Sequence, residues 1–445
     1  MAGQGEATTA PDGEAVKETD SDPPSSRARE NRNIRNLYRQ TAWQGVISAV
    51  ITTFLPIFAV RIGASTFEVG LLTSLPALVT ILLSIPAASF VATRRHLVRL
   101  VTLTMMGVWL CSIAMTFLPS VLTGEAMVYV PMGIIVLAGI SAAFSAASNP
   151  AWTAVLADAI SPRRRPLVNG QRWALLSVVS AATVFFAGWY LDAVAFPFGY
   201  QSLFVGAALA GVVALYYLER IEITNRGHEA ASRMPSSPWQ SLANVPGMFR
   251  SQPAFLRYVG TMFVYRMGIA LPAALYPIFW IEELRASDSW IGFRATAAQA
   301  TLVVSYALWG RIASRKGYRY VMLGCGVGTA LYPALTGAVA SPIWLIPVAV
   351  IWGFFAGGMD VSLFEGLVEA IPADQRVIYA AINTTFANLT VLIGPLLGIA
   401  LIEVIGMRGT FYVAAVVCLA GALLYYALAG TRASASTLEL HTDRG

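Results

Sequence analysis

The chain has 445 residues, of which 56% are hydrophobic and only 12% are charged, and its mean hydropathy is +0.63. A water-soluble domain of this length cannot hide so much apolar surface, so the composition excludes a soluble protein and predicts a chain embedded in lipid. The net charge of +6 is explained by basic loops beside a membrane and does not indicate nucleic-acid binding.

The first 38 residues are polar and include several acids, glycines and prolines, so they are predicted to form a disordered cytoplasmic tail. They lack the basic start, apolar middle and small-residue cleavage site of a secretory signal peptide. The first membrane helix is therefore expected to direct insertion.

Apolar runs of about 20 residues follow almost end to end, and each is long enough to cross a bilayer as a helix. They lie near 42–60, 70–92, 97–119, 127–156, 168–191 and 200–219, and then near 257–281, 291–313, 319–340, 342–369, 378–405 and 409–429. The pattern predicts an all-α membrane protein of about twelve helices. The expected parts are an N-terminal six-helix bundle (39–219), a cytoplasmic linker (220–256), a C-terminal six-helix bundle (257–430) and a cytoplasmic tail (431–445).

Arginine and lysine residues are concentrated in every other loop, so they lie on one side of these spans. Groups of them precede the first span and follow the second, fourth and eighth spans: Arg32, Arg35 and Arg39; Arg94, Arg95 and Arg99; Arg163, Arg164 and Arg165; Arg315, Lys316 and Arg319. Because short cytoplasmic loops retain basic residues, this distribution predicts that both termini are cytoplasmic in a plasma (inner) membrane protein.

The two halves can be aligned without a gap across the fourth and tenth spans. This register places Asp158 opposite Glu369 and Asn149 opposite Asp360. Together with the shared order of spans and basic loops, it indicates an internal duplication.

A short motif follows the eighth span, from Gly310 to Arg319. It resembles the loop motif of the major facilitator superfamily, G-x-x-x-D-R-x-G-R-R, with Ser314 at the position of the family's acid. The resemblance, which extends over about 35–430, implies a pseudo-two-fold bundle of twelve helices that acts as a monomer and alternates its access between the two sides. The missing acid implies that the contact which latches one conformation is weaker here or is made by other groups.

Within this motif, the glycines Gly310 and Gly317 allow a close helix approach and a tight turn. Arg315 is expected to reach Glu369 at the end of a neighbouring helix, and Arg319 belongs to the same basic group. By repeat symmetry, Arg94 or Arg95 is expected to meet Asp158. The alternative is that these arginines serve only to orient the chain in the membrane.

Two opposite charges deep in the predicted spans are the main candidates for solute or proton binding. Arg266 and Asp360 each lie about nine residues, roughly 14 Å of helix, from the cytoplasmic side. A charge at that depth needs a partner or a watery cavity. The pair fits either a binding site in a central cavity or a permanent ion pair that holds two helices together.

Four polar residues are secondary candidates for contact with the solute, although hydrogen bonds between helices also explain each of them. They are Asn149, Gln44, Gln299 and Asn383.

Other classes of protein are not supported by the residues. The chain has two lysines, Lys17 and Lys316, and neither lies in a Gly-Lys-Ser or Gly-Lys-Thr phosphate loop, so no ATP site is expected. Its three histidines lie outside the spans, so neither a metal, a cofactor nor a catalytic residue is predicted. The chain is not expected to be an enzyme.

The predicted function is therefore secondary transport of a small solute, with proton-coupled efflux of an amphipathic or hydrophobic compound favoured by the scarcity of charge within the spans. Uptake of a small metabolite or sugar remains an alternative, as does a receptor or assembly protein that shares the fold without transporting.

Overall fold

The computed structural model describes residues 24–92, 94, 96–161, 164–223, 250, 252–371 and 376–430. These residues form helices and connecting turns, with no β-strand among them. A helix satisfies its own backbone hydrogen bonds, which lipid cannot do, so long apolar segments fold in this way. The predicted all-α class is confirmed.

The first half contains six helices. They are α1 (Pro24–Arg61), α2 (Thr66–Ala92), α3 (Leu97–Val121), α4 (Val130–Ala159), α5 (Arg165–Ala193) and α6 (Phe198–Glu219).

The second half repeats this arrangement. Helix α7 has three consecutive segments, Pro253–Ala270, Leu275–Ile278 and the π-helical turn Phe279–Glu283. It is followed by α8 (Asp288–Lys316), α9 (Tyr318–Ala338) and α10 (Leu345–Ala370). The last helical segment, Arg376–Gly430, is interrupted at Gly406, where φ is 71° and ψ is 172°. We number its two parts α11 (376–405) and α12 (407–430).

Twelve membrane helices result, as the sequence predicts. Ten segments in the described part of the chain are long and apolar enough to cross a bilayer, and one of these, Tyr379–Leu428, contains both α11 and α12. The remaining helix is α8, which carries more polar residues but has 29 residues, or roughly 43 Å of helix.

Helix α1 begins earlier than the sequence predicts. Residues 24–38, assigned above to the disordered tail, are helical, and Leu37 is fully buried. Hydrogen bonds explain this early start, because Asn33 and Asn36 are buried and their side-chain amides donate to backbone carbonyls just after α6. Residues 1–23, most of the predicted linker (224–249 and 251) and the tail at 431–445 lie outside the described residues, so those assignments stay predictions.

The two halves meet through two pairs of helices, α2 with α11 and α5 with α8. The approach of α5 to α8 depends on glycine, since a Cβ atom on Gly188 would lie 2.6 Å from the carbonyl oxygen of Asp288 and 3.1 Å from Cα of Gly292. A larger residue at this crossing would force the halves apart.

We call the end of the bundle that carries the arginine groups the basic end, and the other end the opposite end. At the opposite end the halves share one packed core, in which Leu275, Ile278 and Ile291 join Phe54 and Phe58 of α1.

At the basic end, the second half has a separate core of its own. This core includes Phe255, Tyr258, Met322, Tyr379 and Ile382. The halves thus share one core at the opposite end, whereas the second half has its own core at the basic end.

The junction of α11 and α12 gives the first testable prediction. Gly406 has a backbone conformation that is open essentially only to glycine, so Gly406→Ala should cost about 1–3 kcal/mol. We expect a lower apparent unfolding temperature for the purified variant in detergent.

The matched control is Gly206→Ala, in the interior of α6, where an added Cβ meets nothing within 4 Å. Alanine favours a helix over glycine, so this variant should be as stable as the parent or slightly more so. Equal unfolding temperatures for the Gly406→Ala variant and the parent would contradict the interpretation.

Candidate functional site

A buried carboxylate joins the two halves at the opposite end. The Asp288 side chain is only 7% exposed and lies 3.0 Å from Nη2 of Arg61, the last residue of α1. Tyr200 of α6 donates its hydroxyl to the same carboxylate oxygen at 2.6 Å, and Nε of Arg61 donates to both at 3.2 Å. One acid of the second half is therefore held by two residues of the first.

A second acid makes a reciprocal contact across the halves. Asp192, at the end of α5, accepts hydrogen bonds from the backbone amides of Asp288 and Ser289 at 2.9 and 3.1 Å. These are among the first amides of α8, which have no partner within their own helix, so Asp192 caps a helix of the other half. We call Arg61, Asp192, Tyr200, Asp288 and Ser289 the outer latch.

Sequence reasoning missed the outer latch. A signal was present, because Arg61 is an isolated arginine on the side of the spans that carries few basic residues, where the positive-inside rule does not explain it. Its partner could not be found, since Asp288 is 227 positions away and only the packing of α1 near α8 brings them together.

The predicted candidate Asp360 lies in the half of α10 that is nearer the basic end. It is exposed on α10 and accepts a hydrogen bond at 2.7 Å from the hydroxyl of Tyr306 on α8. Tyr306 lies fourteen positions after Gly292, so both occupy the face of α8 that meets α5 at the opposite end. Asp360 is ten residues before the end of α10, or about 15 Å along the helix.

Arg266, the predicted partner of Asp360, does not form an ion pair with it. No basic group in the described part of the chain lies within 4 Å of the Asp360 carboxylate, although the Arg266 charge acts on it electrostatically. Arg266 is partly buried, and its Nε atom has no hydrogen-bond partner. The alternative of a permanent ion pair is therefore not supported, and both groups can still contact a solute.

The four secondary candidates are not gathered into one cluster by the hydrogen bonds of the described residues. Asn149 is exposed on α4, whereas Gln44, Gln299 and Asn383 are partly buried. The Oε1 atom of Gln44 is buried without a hydrogen-bond partner, so Gln44 has an unused acceptor within the first half.

The first half also has a cation near the basic end. Arg172 of α5 lies over the rings of Trp152 and Trp173, at 5.4 and 5.3 Å, and donates to Asn169. Trp152 is three residues after Asn149 on α4. The aromatic rings and the amide hold this guanidinium, which has no acidic partner among the described residues.

The motif after α8 makes a different ion pair from the one expected. Glu369 is paired with Arg319 at 2.5 Å, whereas Arg315 is exposed and has no ion pair among the described residues. Gly317 has a φ of 84°, which turns the chain between α8 and α9 so that Arg319, on the first turn of α9, faces α10. The expectation that Arg315 reaches Glu369 is therefore wrong.

Two other residues of the motif, Ser314 and Gly310, make no contact with a neighbouring helix in the hydrogen bonds and close approaches of the described residues. Ser314, which stands where the family has an acid, donates to the carbonyl of Arg311 one turn earlier at 2.8 Å. Gly310 lies in open space within α8. In the first half, Arg94 lies over the ring of Phe90 at 4.2 Å, while Arg95 is outside the described residues, so its contact with Asp158 stays a prediction.

A further arginine, which was not among the predicted binding residues, lies in an aromatic cluster of the second half. Arg294 of α8 lies 3.9 Å from the centre of the Trp280 ring and donates to the Tyr332 hydroxyl at 3.3 Å. Tyr276 packs against both aromatic residues, with its ring centre 5.9 and 5.0 Å from theirs. The cluster stabilises a cation inside a helix bundle through ring electrons and one hydroxyl.

The family profile and a solved structure agree on the family and the fold of this chain. The sequence profile described as the Major Facilitator Superfamily matches residues 42–265 and again 258–442. A solved structure of a mutant of the nucleoside transporter NupG has the same fold, with a TM-score of 0.69 over 89% of this chain and 99% of that one, at 12% identity.

Curated relatives match over shorter stretches. The Staphyloferrin B transporter of Staphylococcus aureus is 23% identical over 171 residues, which are 37% of this chain and 41% of that protein. The multidrug resistance protein MdtG of Proteus mirabilis is 26% identical over 161 residues, or 35% of this chain and 39% of that protein. The chain therefore matches about two fifths of the length of each.

The outer latch gives the second prediction. Asp288→Ala leaves Arg61 without its acid, and because the Arg61 side chain is 28% exposed to water we expect a loss of about 1–3 kcal/mol from the closed opposite end. Spin labels at exposed positions 193 and 340, one in each half, should report longer distances in this variant by pulsed electron resonance.

Glu283→Ala is the control for this experiment. It breaks the ion pair of Glu283 with Arg408, which also lies at the opposite end but joins two helices of the second half. The label distance should not change in this variant. An unchanged distance in the Asp288→Ala variant as well would show that the outer latch does not hold the halves together.

Proposed function

Because this chain belongs to the Major Facilitator Superfamily, we propose that it is a secondary active transporter that exports a small amphipathic compound in exchange for protons. It is a multi-pass membrane transporter and not an enzyme.

The packing of the two halves supports alternating access. The outer latch and the shared core hold the halves together at the opposite end, while the separate core of the second half at the basic end favours an opening there. With the basic loops in the cytoplasm, this conformation opens to the inside of the cell. Export then requires the outer latch to break and the basic end to close around a loaded solute.

Proton coupling is supported by the exposure and the bonding of the Asp360 carboxyl group. This carboxyl group is exposed, bonded to Tyr306 and not neutralised by an ion pair with a described residue. While Asp360 is in contact with water, it can exchange a proton. Closure of the halves around an ionised Asp360 would cost free energy, so closure favours the protonated form. Conformational change and proton binding are thereby linked.

Export of an amphipathic compound is supported by the surroundings and by relatives. Aromatic and apolar residues dominate the helices, while a few polar groups, Arg266, Asp360 and Arg172, are available to orient a solute. Several curated relatives are named as multidrug resistance or efflux proteins. A cytoplasmic opening is also where an exporter loads its solute.

The third prediction concerns Asp360 and Arg266. Asp360→Asn cannot release a proton, so transport driven by a pH gradient in proteoliposomes should fall at least about tenfold. Counterflow of the same solute, which needs no net proton movement, should persist. Arg266→Ala should abolish both activities while the protein still inserts into the membrane, because it removes a solute contact.

Glu365→Gln is the control, since Glu365 is an exposed acid on the same helix, five residues nearer the basic end. Its activity should stay close to that of the parent. A panel of amphipathic cations, nucleosides and sugars identifies the solute. Undiminished gradient-driven transport by the Asp360→Asn variant would refute proton coupling there, and binding without counterflow for every compound would favour a receptor.

The fourth prediction concerns orientation. His96 is exposed at the basic end and Thr123 is exposed at the opposite end, whereas the three native cysteines are buried. In intact cells, a membrane-impermeant thiol reagent should label a Thr123→Cys variant and should label a His96→Cys variant only after permeabilisation. The reverse pattern would invert the proposed topology.

A further inference from the structure

A basic pocket lies outside the transport path, at the basic end of the first half. It is a cavity of about 410 Å³ between the N-terminal part of α1 and the end of α6. Its charged lining residues are Arg32, Arg35, Arg39, Glu219, Arg220 and Glu222. We call it the Arg220 pocket.

The walls of this pocket are fixed by hydrogen bonds between buried amides and backbone. Asn33 donates to the carbonyl of Glu222 at 2.8 Å and accepts from its amide at 3.0 Å, and Asn36 donates to the carbonyl of Arg220 at 3.1 Å. On its other side, α1 is held through Glu30, which accepts from the amide and hydroxyl of Ser161. The pocket is therefore formed before any ligand binds.

Positive charge is in excess within the pocket. The four arginines face two acids, and only Arg32 forms an ion pair with one of them, with Glu222 at 2.9 Å. Arg35 is exposed and makes no ion pair with any described residue, while Arg39 and Arg220 lie over the rings of Tyr217 and Tyr216, at 5.5 and 4.0 Å.

The positive-inside rule explains why arginines occur on this side but not why they converge on one cavity. Arg32, Arg35 and Arg39 are spaced by three and four residues, so they share one face of α1. Their guanidinium groups can approach one anion together with Arg220, and a phosphate accepts several such donors at once.

An apolar path leads from the membrane to this pocket along α6. Leu209, Val212 and Tyr216 are 64%, 60% and 51% exposed, and their spacing of three and four residues places them on one face of the helix. Arg220 is the next residue in this series. A lipid chain lying on this face would bring its headgroup to the Arg220 pocket.

We propose that the Arg220 pocket binds an anionic phospholipid, with the phosphate between Arg35 and Arg220 and an acyl chain on the exposed face of α6. Basic pockets between membrane helices on the cytoplasmic side suit anionic headgroups. The aromatic ring of Tyr216 marks the interface at which a headgroup meets the chains. This inference does not depend on the transported solute.

Native mass spectrometry of the purified protein in detergent tests the proposal. Phosphatidylglycerol should bind, whereas phosphatidylcholine with the same acyl chains should not reach the same occupancy. Each arginine near the surface contributes about 1 kcal/mol, so the double variant Arg35→Gln/Arg220→Gln should bind phosphatidylglycerol roughly 30-fold more weakly. An excess of inorganic phosphate should not displace the lipid.

The control is Arg99→Gln/Arg311→Gln, which removes two exposed arginines from the basic end but outside the pocket. It should bind phosphatidylglycerol as the parent does. If the first double variant does not fold, Arg35→Gln alone carries the test with a loss of about fivefold. Equal losses in the two double variants, equal binding of both lipids, or displacement by inorganic phosphate would each overturn the proposal.

Discussion

The arrangement of this protein depends on a contact between its two halves, the crossing of α5 and α8 at the opposite end. Gly188 and Gly292 allow the two backbones to touch, and Asp192 and Asp288 then exchange contacts with the other half. A buried carboxylate is costly unless it is fully bonded. Asp288 meets this requirement through residues of the other half, so its bonding depends on the two halves staying together there.

The cost of an unpaired charge also applies nearer the basic end, where the charged groups are not fully bonded. Asp360 is exposed and bonded to Tyr306, whereas Arg266 is partly buried and its Nε atom has no hydrogen-bond partner. One bundle therefore holds a buried, fully bonded acid at the opposite end and an exposed acid nearer the basic end. Alternating access follows if the protein can reverse which of the two is satisfied.

The sequence predicts the helices well because hydrophobic length is a local property. The twelve spans, the class and the depth of Asp360 all follow from runs of residues. Pairings between distant residues do not: Arg319 rather than Arg315 meets Glu369, because the turn at Gly317 decides which arginine faces α10. The same is true of Asp288 and Arg61. The early start of α1 also escapes prediction, because the buried residues of its first turns include two asparagines, which read as polar in the sequence.

The shared core at the opposite end has a thermodynamic consequence. Opening that end would wet apolar residues such as Leu275 and Ile278, while the surfaces that would close at the basic end include Asp360, Glu365 and Asn149. The two conformations would therefore differ in the heat capacity of their hydration. Since apolar burial weakens on cooling, the balance between them is set partly by temperature, and a cold membrane would favour the outward-facing form.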